Sequence, residues 1–500
     1  MKKLLIRVIS VLAVFGMAAS TAGCSLTKTT VNSETDTTVS YIDGQPTGSG
    51  ADGAGDGESQ SGSSASGNGG GVVSTPDGGT TSQNAGTVDN STEEKLTGTL
   101  EMQIFVGGYG SECWEYAINE FQKLQPELEI NAHLDTNVNA QMKTRWAKDN
   151  PPDFVFLEGS NMPKSTWMAE GKLRDLSSLF SNGKVYGTKT SISSQIKNGL
   201  VTKYSNTNKI YELPVLLSTY GMWYDEAYFN SNKWTVPKNY TELQSFCKQV
   251  KGAGTYPLIY TGNYSGYLVW GLLMPALASE AVASNDTQFF YDIANASRED
   301  VWADARVKKT LSKIENLAKQ GYFDPSGLSM NHITSQAAWL KHSAALIPNG
   351  LWLENEMRDS IPADFKMRYY PSMLHDAGQP VCVIASSSTV GIAAKAKNPK
   401  AAEAFLRFLY TDKVAAKFAE LCAVPSAART DVSNANLTDS AKQVNEMINS
   451  SEVTLVAKGS TTWGSVDATI NECINALVAG EMTTDEMISE LRKATKNKIG

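Results

Sequence analysis

The sequence predicts an α/β protein of two lobes, preceded by a long unstructured leader. Three observations carry this. From residue 97 onward, strand-like and helix-like segments alternate. The 405 residues after Lys95 exceed what one hydrophobic core usually supports. Ahead of them lies a Gly-, Ser-, Thr-, Asn- and Asp-rich stretch with few large apolar residues.

The first residues form a recognisable leader. Lys2, Lys3 and Arg7 make a basic start, and Val8 to Ala19 is an uncharged, mostly apolar run. The run is too short to span a bilayer, and the small residues Ala22 and Gly23 follow it. That order reads as a secretory signal over 1–23 rather than a transmembrane helix. Cys24 directly after it resembles a bacterial lipobox, in which the thiol is acylated after export. Position −3 is usually Leu in that pattern, and here it is Thr21. Two or more acyl chains, at roughly 0.8 kcal/mol per buried methylene, give stable anchoring. The other reading is an ordinary signal peptide with an incidental cysteine nearby; the expectation is a palmitate-type anchor on Cys24 and a place on the outer face of the cell membrane.

Residues 24–96 read as the tether. "DGAGDGESQSGSSASGNGGG" has no apolar residue larger than Ala, so it cannot bury enough surface to offset the entropy of ordering. Roughly seventy such residues reach on the order of 45 Å root-mean-square. The charge follows the same division. Residues 25–95 carry ten acids and two bases, residues 1–24 carry +3, and the whole chain carries −8, which leaves −3 for residues 96–500. A nearly neutral folded part without a basic patch argues against nucleic acid as a partner.

The elements after residue 97 follow from periodicity. "TLEMQIFV" alternates and ends at Gly107-Gly108, as a strand running into a loop. Trp114, Ala117, Ile118, Phe121 and Leu124 recur at helical spacing, and Pro126 stops the run. "LEINAHL" is a second strand, and "DFVFLEG" is a third, apolar enough to be covered on both faces. A helix holding Trp167 and Met168 comes next. This βαβαβα order predicts a parallel sheet flanked by helices, with ligands beyond the carboxyl ends of its strands. Those ends carry Gly108-Tyr109-Gly110-Ser111 and Glu158-Gly159-Ser160-Asn161. Five cysteines remain after Cys24, namely Cys113, Cys247, Cys382, Cys422 and Cys473, with no C-x-x-C pair among them. The expectation is buried, reduced thiols, with no zinc or dithiol chemistry, no metal and no cofactor.

The middle and end of the chain carry a resemblance. "IYELPVLLSTYGMWYDEAYF" and "VPKNYTELQSFCKQVKGAGTYPL" resemble the extracellular solute-binding proteins of carbohydrate ABC transporters (family 1 type). In that family a Y-x-L-P strand leads to a Tyr-Asn-like pair, here Tyr224-Asp225. A Pro-x-Thr helix start and a Lys-x-x-Gly-x-x-Pro turn follow, matched by Pro237, Thr241, Lys251, Gly254 and Pro257. "AAWLKHSAALIPNGLW" is similar to a further family stretch, with His342 where Gly is usual. "AKNPKAAEAFLRFLYTDKVAAKFAE" and "AVPSAART" complete the likeness, which runs from about residue 98 to the end. "PNGLWLENEMRD" is most similar to members assigned to N-acetylglucosamine and chitobiose.

The resemblance implies a periplasmic-binding-protein-like fold, two α/β lobes joined by three hinge crossings near Pro214–Tyr224, Val383–Val390 and Val424–Arg429. Lobe one would hold 97–215 and 385–425, and lobe two 216–384 and 426–500. It implies a monomeric receptor that delivers an oligosaccharide or amino sugar to permease subunits in the membrane, without catalysis. Gly221 reads either as a hinge residue or as a turn between strands.

A sugar offers apolar faces and a rim of hydroxyls, so rings and polar groups should line its cleft. Trp352, in "NGLWLENE" at an expected helix start that Asn349 could cap, reads as a stacking platform or a core residue, and is the first candidate. Tyr109 and Glu158 lie at strand ends, and Tyr220 lies in the first crossing. Tyr264 reads as a ligand contact or a surface ring, Trp270 as a contact or part of a buried helix face, and Trp463 as a cleft residue or a brace for the last helices. Glu354 and Glu356 flank Trp352 and could serve either a ligand or the helix start. Arg429 could bond hydroxyls or neighbouring carboxylates. Two other readings stand beside the transport receptor. A membrane-tethered glycoside hydrolase would need two carboxylates about 5–9.5 Å apart, for which Glu158 and Glu354 could be nominated. A glycan-binding lipoprotein without a transporter would share the pocket but not the hinge.

Overall fold

The computed structural model describes residues 39–42, 88–204, 207–458 and 463–499. The expected signal segment and Cys24 lie outside the described residues, as does most of the stretch read as a tether. Two parts of that stretch are described. Val39–Ile42 (β1) pairs parallel with the edge of a sheet. Residues from Val88 onward pack on the folded part: Leu96 is buried, its N–H bonds Gln125, and Glu93 pairs with Arg407 at 2.6 Å. The folded chain therefore begins by Val88, ahead of the expected residue 97.

The remaining strands are β2 (Gly98–Phe105), β3 (Leu128–Asp135), β4 (Phe154–Phe156), β5 (Leu213–Ser218), β6 (Tyr220–Asp225), β7 (Tyr256–Leu258), β8 (Ala344–Gly350), β9 (Met367–Tyr370), β10 (Cys382–Ile392) and β11 (Thr454–Ala457). The first sheet has the order β1-β3-β2-β4-β10-β11, with β5 also on β10; the second has the order β7-β8-β6-β9. β3, β2 and β4 run parallel, as the sequence predicts. On β2, Leu100, Met102 and Ile104 are buried against one helical layer, while Gln103 on the other face bonds Asn139 and Trp146. The helix Glu112–Leu124 buries Trp114, Ala117, Ile118 and Phe121, and Trp114 packs edge-on to Phe154 and Phe418.

The two lobes share chain at three places. A single residue, buried Thr219, separates β5 in the first sheet from β6 in the second. β10 is long enough to serve both lobes: Val390 and Ile392 join the first core, and Cys382 and Ile384 the second. The third passage lies further along than expected. The Leu217 N–H donates to the Pro425 carbonyl, the Ala427 N–H to the Val215 carbonyl and the Arg429 N–H to the Gln195 carbonyl, so residues 425–429 still pair with the first lobe. The chain reaches the helix Asp439–Ile448, which bonds Tyr369 on β9 through Gln443, only after that. Gly221 does not form a turn. It lies within β6 opposite Asn349, and a Cβ there would stand 2.4 Å from the Tyr369 ring.

Three further details bear on the site. Asn349 does not cap a helix. It is buried in β8, and Trp352 occupies the cap position of the short helix Leu353–Met357. The apolar helix from Gly266 passes through a π turn, Val269–Leu273, which presses Gly271 to 3.2 Å (from a built Cβ) against the Gly221 carbonyl. The two departures from the resemblance meet in space: His342 Nε2 lies 2.9 Å from Asp225, whose other oxygen accepts the N–H groups of Ala227 and Lys366. His342 holds φ +59°, a conformation that explains why glycine suits this place. The five cysteines after Cys24 are free and buried.

Candidate functional site

A cavity of about 1150 Å³ lies between the lobes, at the carboxyl ends of β2 and β4. Of the two strand ends singled out in the sequence, Gly108–Ser111 and Glu158–Asn161, all but the last residue of each line it. Such loops meet a cleft because a parallel sheet delivers all its strand ends to one edge.

One wall is aromatic. Tyr220, Tyr264, Tyr267 and Trp352 come from the second lobe and touch one another. Trp352 stands edge-on to Tyr220 at 5.1 Å and to Tyr267 at 5.8 Å, and Tyr264 lies nearly parallel to Tyr267 at 6.1 Å. Tyr264 is 47 % exposed. From the first lobe, Tyr109 meets Trp352 edge-on at 6.1 Å and donates to Ser218 at 3.3 Å. Burial pushes the phenols of Tyr109, Tyr220 and Tyr267 well above their usual range, so each remains a neutral donor.

The floor is charged. Lys164 Nζ pairs with Glu212 at 2.9 Å, and Thr389 donates to the same carboxylate at 2.5 Å. Burial pushes the Glu158 carboxyl up to about 7; the positive charges of Lys164 and Lys458 oppose this, and Glu212 adds to it. Burial likewise brings the Lys458 ammonium down to about 8, against the pull of Glu158. For Lys164 burial is outweighed by Glu212 and Glu158, and its net shift is upward. Lys458 sits 4.1 Å above the Trp270 ring.

The lobes touch along one rim of this cavity. Asn355 donates to the Gly108 carbonyl at 2.9 Å, and Arg358 pairs with Glu112 at 2.7 Å. Gly108 packs directly on the Trp352 indole; a Cβ there would lie 2.8 Å from it.

Of the sequence-based candidates, the fold brings Tyr109, Glu158, Tyr220, Tyr264 and Trp352 to one cavity, with Glu356 beside them. Four stand elsewhere, which corrects their expected position. Trp270 (7 % exposed) and Trp463 (3 %) stack on each other at 5.0 Å in the second core, and Trp463 donates to the Ile293 carbonyl. The buried-face reading of "YLVWGLL" and the bracing reading of Trp463 fit this placement. Glu354 accepts bonds from Thr438 and Ser440 at the start of the helix Asp439–Ile448, so it serves a helix end rather than the cavity. Arg429 is exposed and outside the cavity. Sequence reasoning missed Lys164, Tyr267, Glu212 and Lys458. Tyr267 carried a signal, three residues after Tyr264 on an emerging helix; the isolated charges carried none.

Comparison with known proteins agrees with this geometry. The family model for bacterial extracellular solute-binding proteins matches residues 108–416. The diacetylchitobiose binding protein NgcE of Streptomyces coelicolor is 26 % identical over 333 residues, 66 % of this chain and 69 % of that protein. The multiple sugar-binding protein of Streptococcus mutans is 20 % identical over 312 residues, 62 % of this chain and 71 % of that protein. Among solved structures, RafE of Streptococcus pneumoniae superposes with a TM-score of 0.63 at 17 % identity, covering 82 % of this chain and all of that one. A chitin oligosaccharide binding protein superposes at 0.59 and 18 % identity, covering 77 % and 94 %. A two-lobed α/β chain, cleft between its lobes and matched by the family model over most of its folded length, belongs to the bacterial extracellular solute-binding proteins.

Proposed function

We propose that the protein is a receptor that captures an oligosaccharide outside the cell and hands it to an ABC importer. The observation that carries this is the ring cluster Tyr220–Tyr264–Tyr267–Trp352 facing a charged floor across an interlobe cavity. Rings cover sugar faces, and carboxylates and ammonium groups bond hydroxyls. The volume, about 1150 Å³, exceeds the roughly 300–1,000 Å³ of ordinary small-molecule pockets, which favours more than one sugar ring. The names of the similar proteins, which bind diacetylchitobiose, raffinose or chitin oligosaccharide, support an amino-sugar or oligosaccharide ligand.

Both lobes contribute to the cavity, so a sugar held by both favours the closed arrangement by its differential contacts. Tyr109, Glu158, Tyr220, Tyr264 and Trp352 are the contacts proposed. Trp270 and Trp463 are not among them. An acylated Cys24 would hold the receptor, a monomer, at the outer membrane face, and the acidic leader would give it reach. The hydrolase reading loses its nominated pair, because Glu354 is engaged at a helix end.

The test incubates the purified protein with chito-oligosaccharides, cello-oligosaccharides and raffinose, following melting temperature and new reducing ends together. A rise in melting temperature without cleavage is expected. Reducing ends that depend on the protein would make it a hydrolase; no shift with any saccharide would remove the carbohydrate reading.

A further inference from the structure

We propose that Glu158 and Lys458 together form the subsite for an acetamido substituent of the bound sugar. The inference deepens the receptor reading above and rests on it.

Glu158 stands two residues beyond β4 in the first lobe, and Lys458 directly follows β11; both line the cavity. Each senses the other's charge, yet the two form no ion pair. The remaining floor charges are engaged, since Lys164 is held by Glu212. Among the described residues, Glu158 has no side-chain partner and only the Thr389 backbone N–H beside it. Lys458 rests on the Trp270 face, which stabilises its charge but accepts no directed N–H bond. Both groups are half-buried and face the cavity, so a ligand that displaces the cavity water has to replace the bonds water gives them.

Charge decides what the ligand group is. An anionic substituent would satisfy Lys458 but meet Glu158 and Glu212. A cationic amine would satisfy Glu158 but meet Lys458 and Lys164. A neutral group that donates on one side and accepts on the other suits both. A trans amide does this from one rigid plane, its N–H and C=O pointing in opposite directions. The acetyl methyl also has apolar neighbours: Phe156 shares the strand direction of Glu158, Met168 lies one helical turn after Lys164, and Leu200 joins them in the lining. With Glu158 titrating at about 7 and Lys458 at about 8, the larger part of each group is charged between these two values.

The test is calorimetric titration of the full chain with N,N′-diacetylchitobiose and with cellobiose, which share linkage and differ by acetamido against hydroxyl. The wild type is expected to prefer diacetylchitobiose by on the order of 100-fold, because a polar site rejects the analogue that leaves it unbonded. Glu158→Gln and Lys458→Met should each cut that preference, read as the ratio of the two affinities, by about tenfold. Lys458→Arg, which keeps the charge, should retain most of it, and melting curves confirm that each variant folds. A preference unchanged in both variants, or equal wild-type affinity for the two disaccharides, overturns the subsite. If other saccharides bind and diacetylchitobiose does not, the subsite alone falls; if no saccharide binds, the receptor reading falls with it.

Discussion

Replacing Glu158 with glutamine should stabilise the ligand-free protein at neutral and alkaline pH. The carboxyl titrates at about 7 in the folded chain, against 4.5 for an ordinary glutamate, chiefly because the cavity floor desolvates it. A folded-state pKa above the unfolded one means that the folded chain binds the proton more tightly. Stability is therefore lost as pH rises from 4.5 through 7, and the loss is complete above that. The full gap corresponds to roughly 3 kcal/mol. Glu158 is only half-buried and open to cavity water, so on the order of 1–2 kcal/mol is expected. The attractions to Lys164 and Lys458 are already contained in the net shift. The measurement is melting temperature from pH 4 to 8.5 for both proteins. The curves should coincide near pH 4 and separate by on the order of 1–3 °C above pH 7, with the glutamine variant higher. Parallel curves, or a glutamine variant less stable at pH 8, would show that the carboxylate is well solvated or paired and would refute the reasoning.

Three other outcomes follow from the same geometry. Trp352→Ala should weaken saccharide binding by about tenfold or more with little change in melting temperature, whereas Trp463→Ala, which empties a stacked core position, should cost about 3–5 kcal/mol; titration beside thermal melting separates the two. Gly108→Val places side-chain atoms where the Trp352 indole lies, 2.8 Å from the built Cβ, so small-angle scattering should show a larger radius of gyration than in the wild type. A double-mutant cycle on Asp225→Asn and His342→Ala should give a coupling of about 1 kcal/mol, since the two side chains meet at 2.9 Å; additivity would mean that the contact contributes nothing.

The sheet was legible because its pattern is local. β2, β3 and β4 stand where alternation and apolar runs placed them, and the rings on Glu112–Leu124 face the core as their helical spacing requires. Tyr109 and Glu158 were legible for a topological reason, since parallel strands send their ends to one edge. Trp270 shows where such reading stops. Its segment balances a buried face against a cleft contact, and a π turn at Val269–Leu273 adds a residue to the register that no periodicity rule anticipates. Lys458 was illegible because a single charge beyond a short strand carries no spacing. Asp225 and His342 looked like two separate departures from the family pattern; folded, they are one hydrogen bond.

The distribution of chemistry between the lobes has a functional consequence. The second lobe carries the connected rings, including the exposed Tyr264, while Glu158, Lys164 and Glu212 belong to the first. Ring faces gain as soon as a sugar face displaces the water on them, with the cavity still open, whereas buried charges discriminate only once the cavity is shut around the ligand. A sugar would therefore meet the rings of the second lobe first and the charges of the first lobe on closure. Ligand contacts made only in the closed state are the ones that shift the population toward it. Loss of Trp352 should then weaken capture of every saccharide alike, while loss of Glu158 should act on closure and on the choice between saccharides. On the proposed subsite, the cost of partly desolvating Glu158 in the empty protein would be the counterpart of its selectivity: a floor already at ease with its charges would have little to gain from the right sugar.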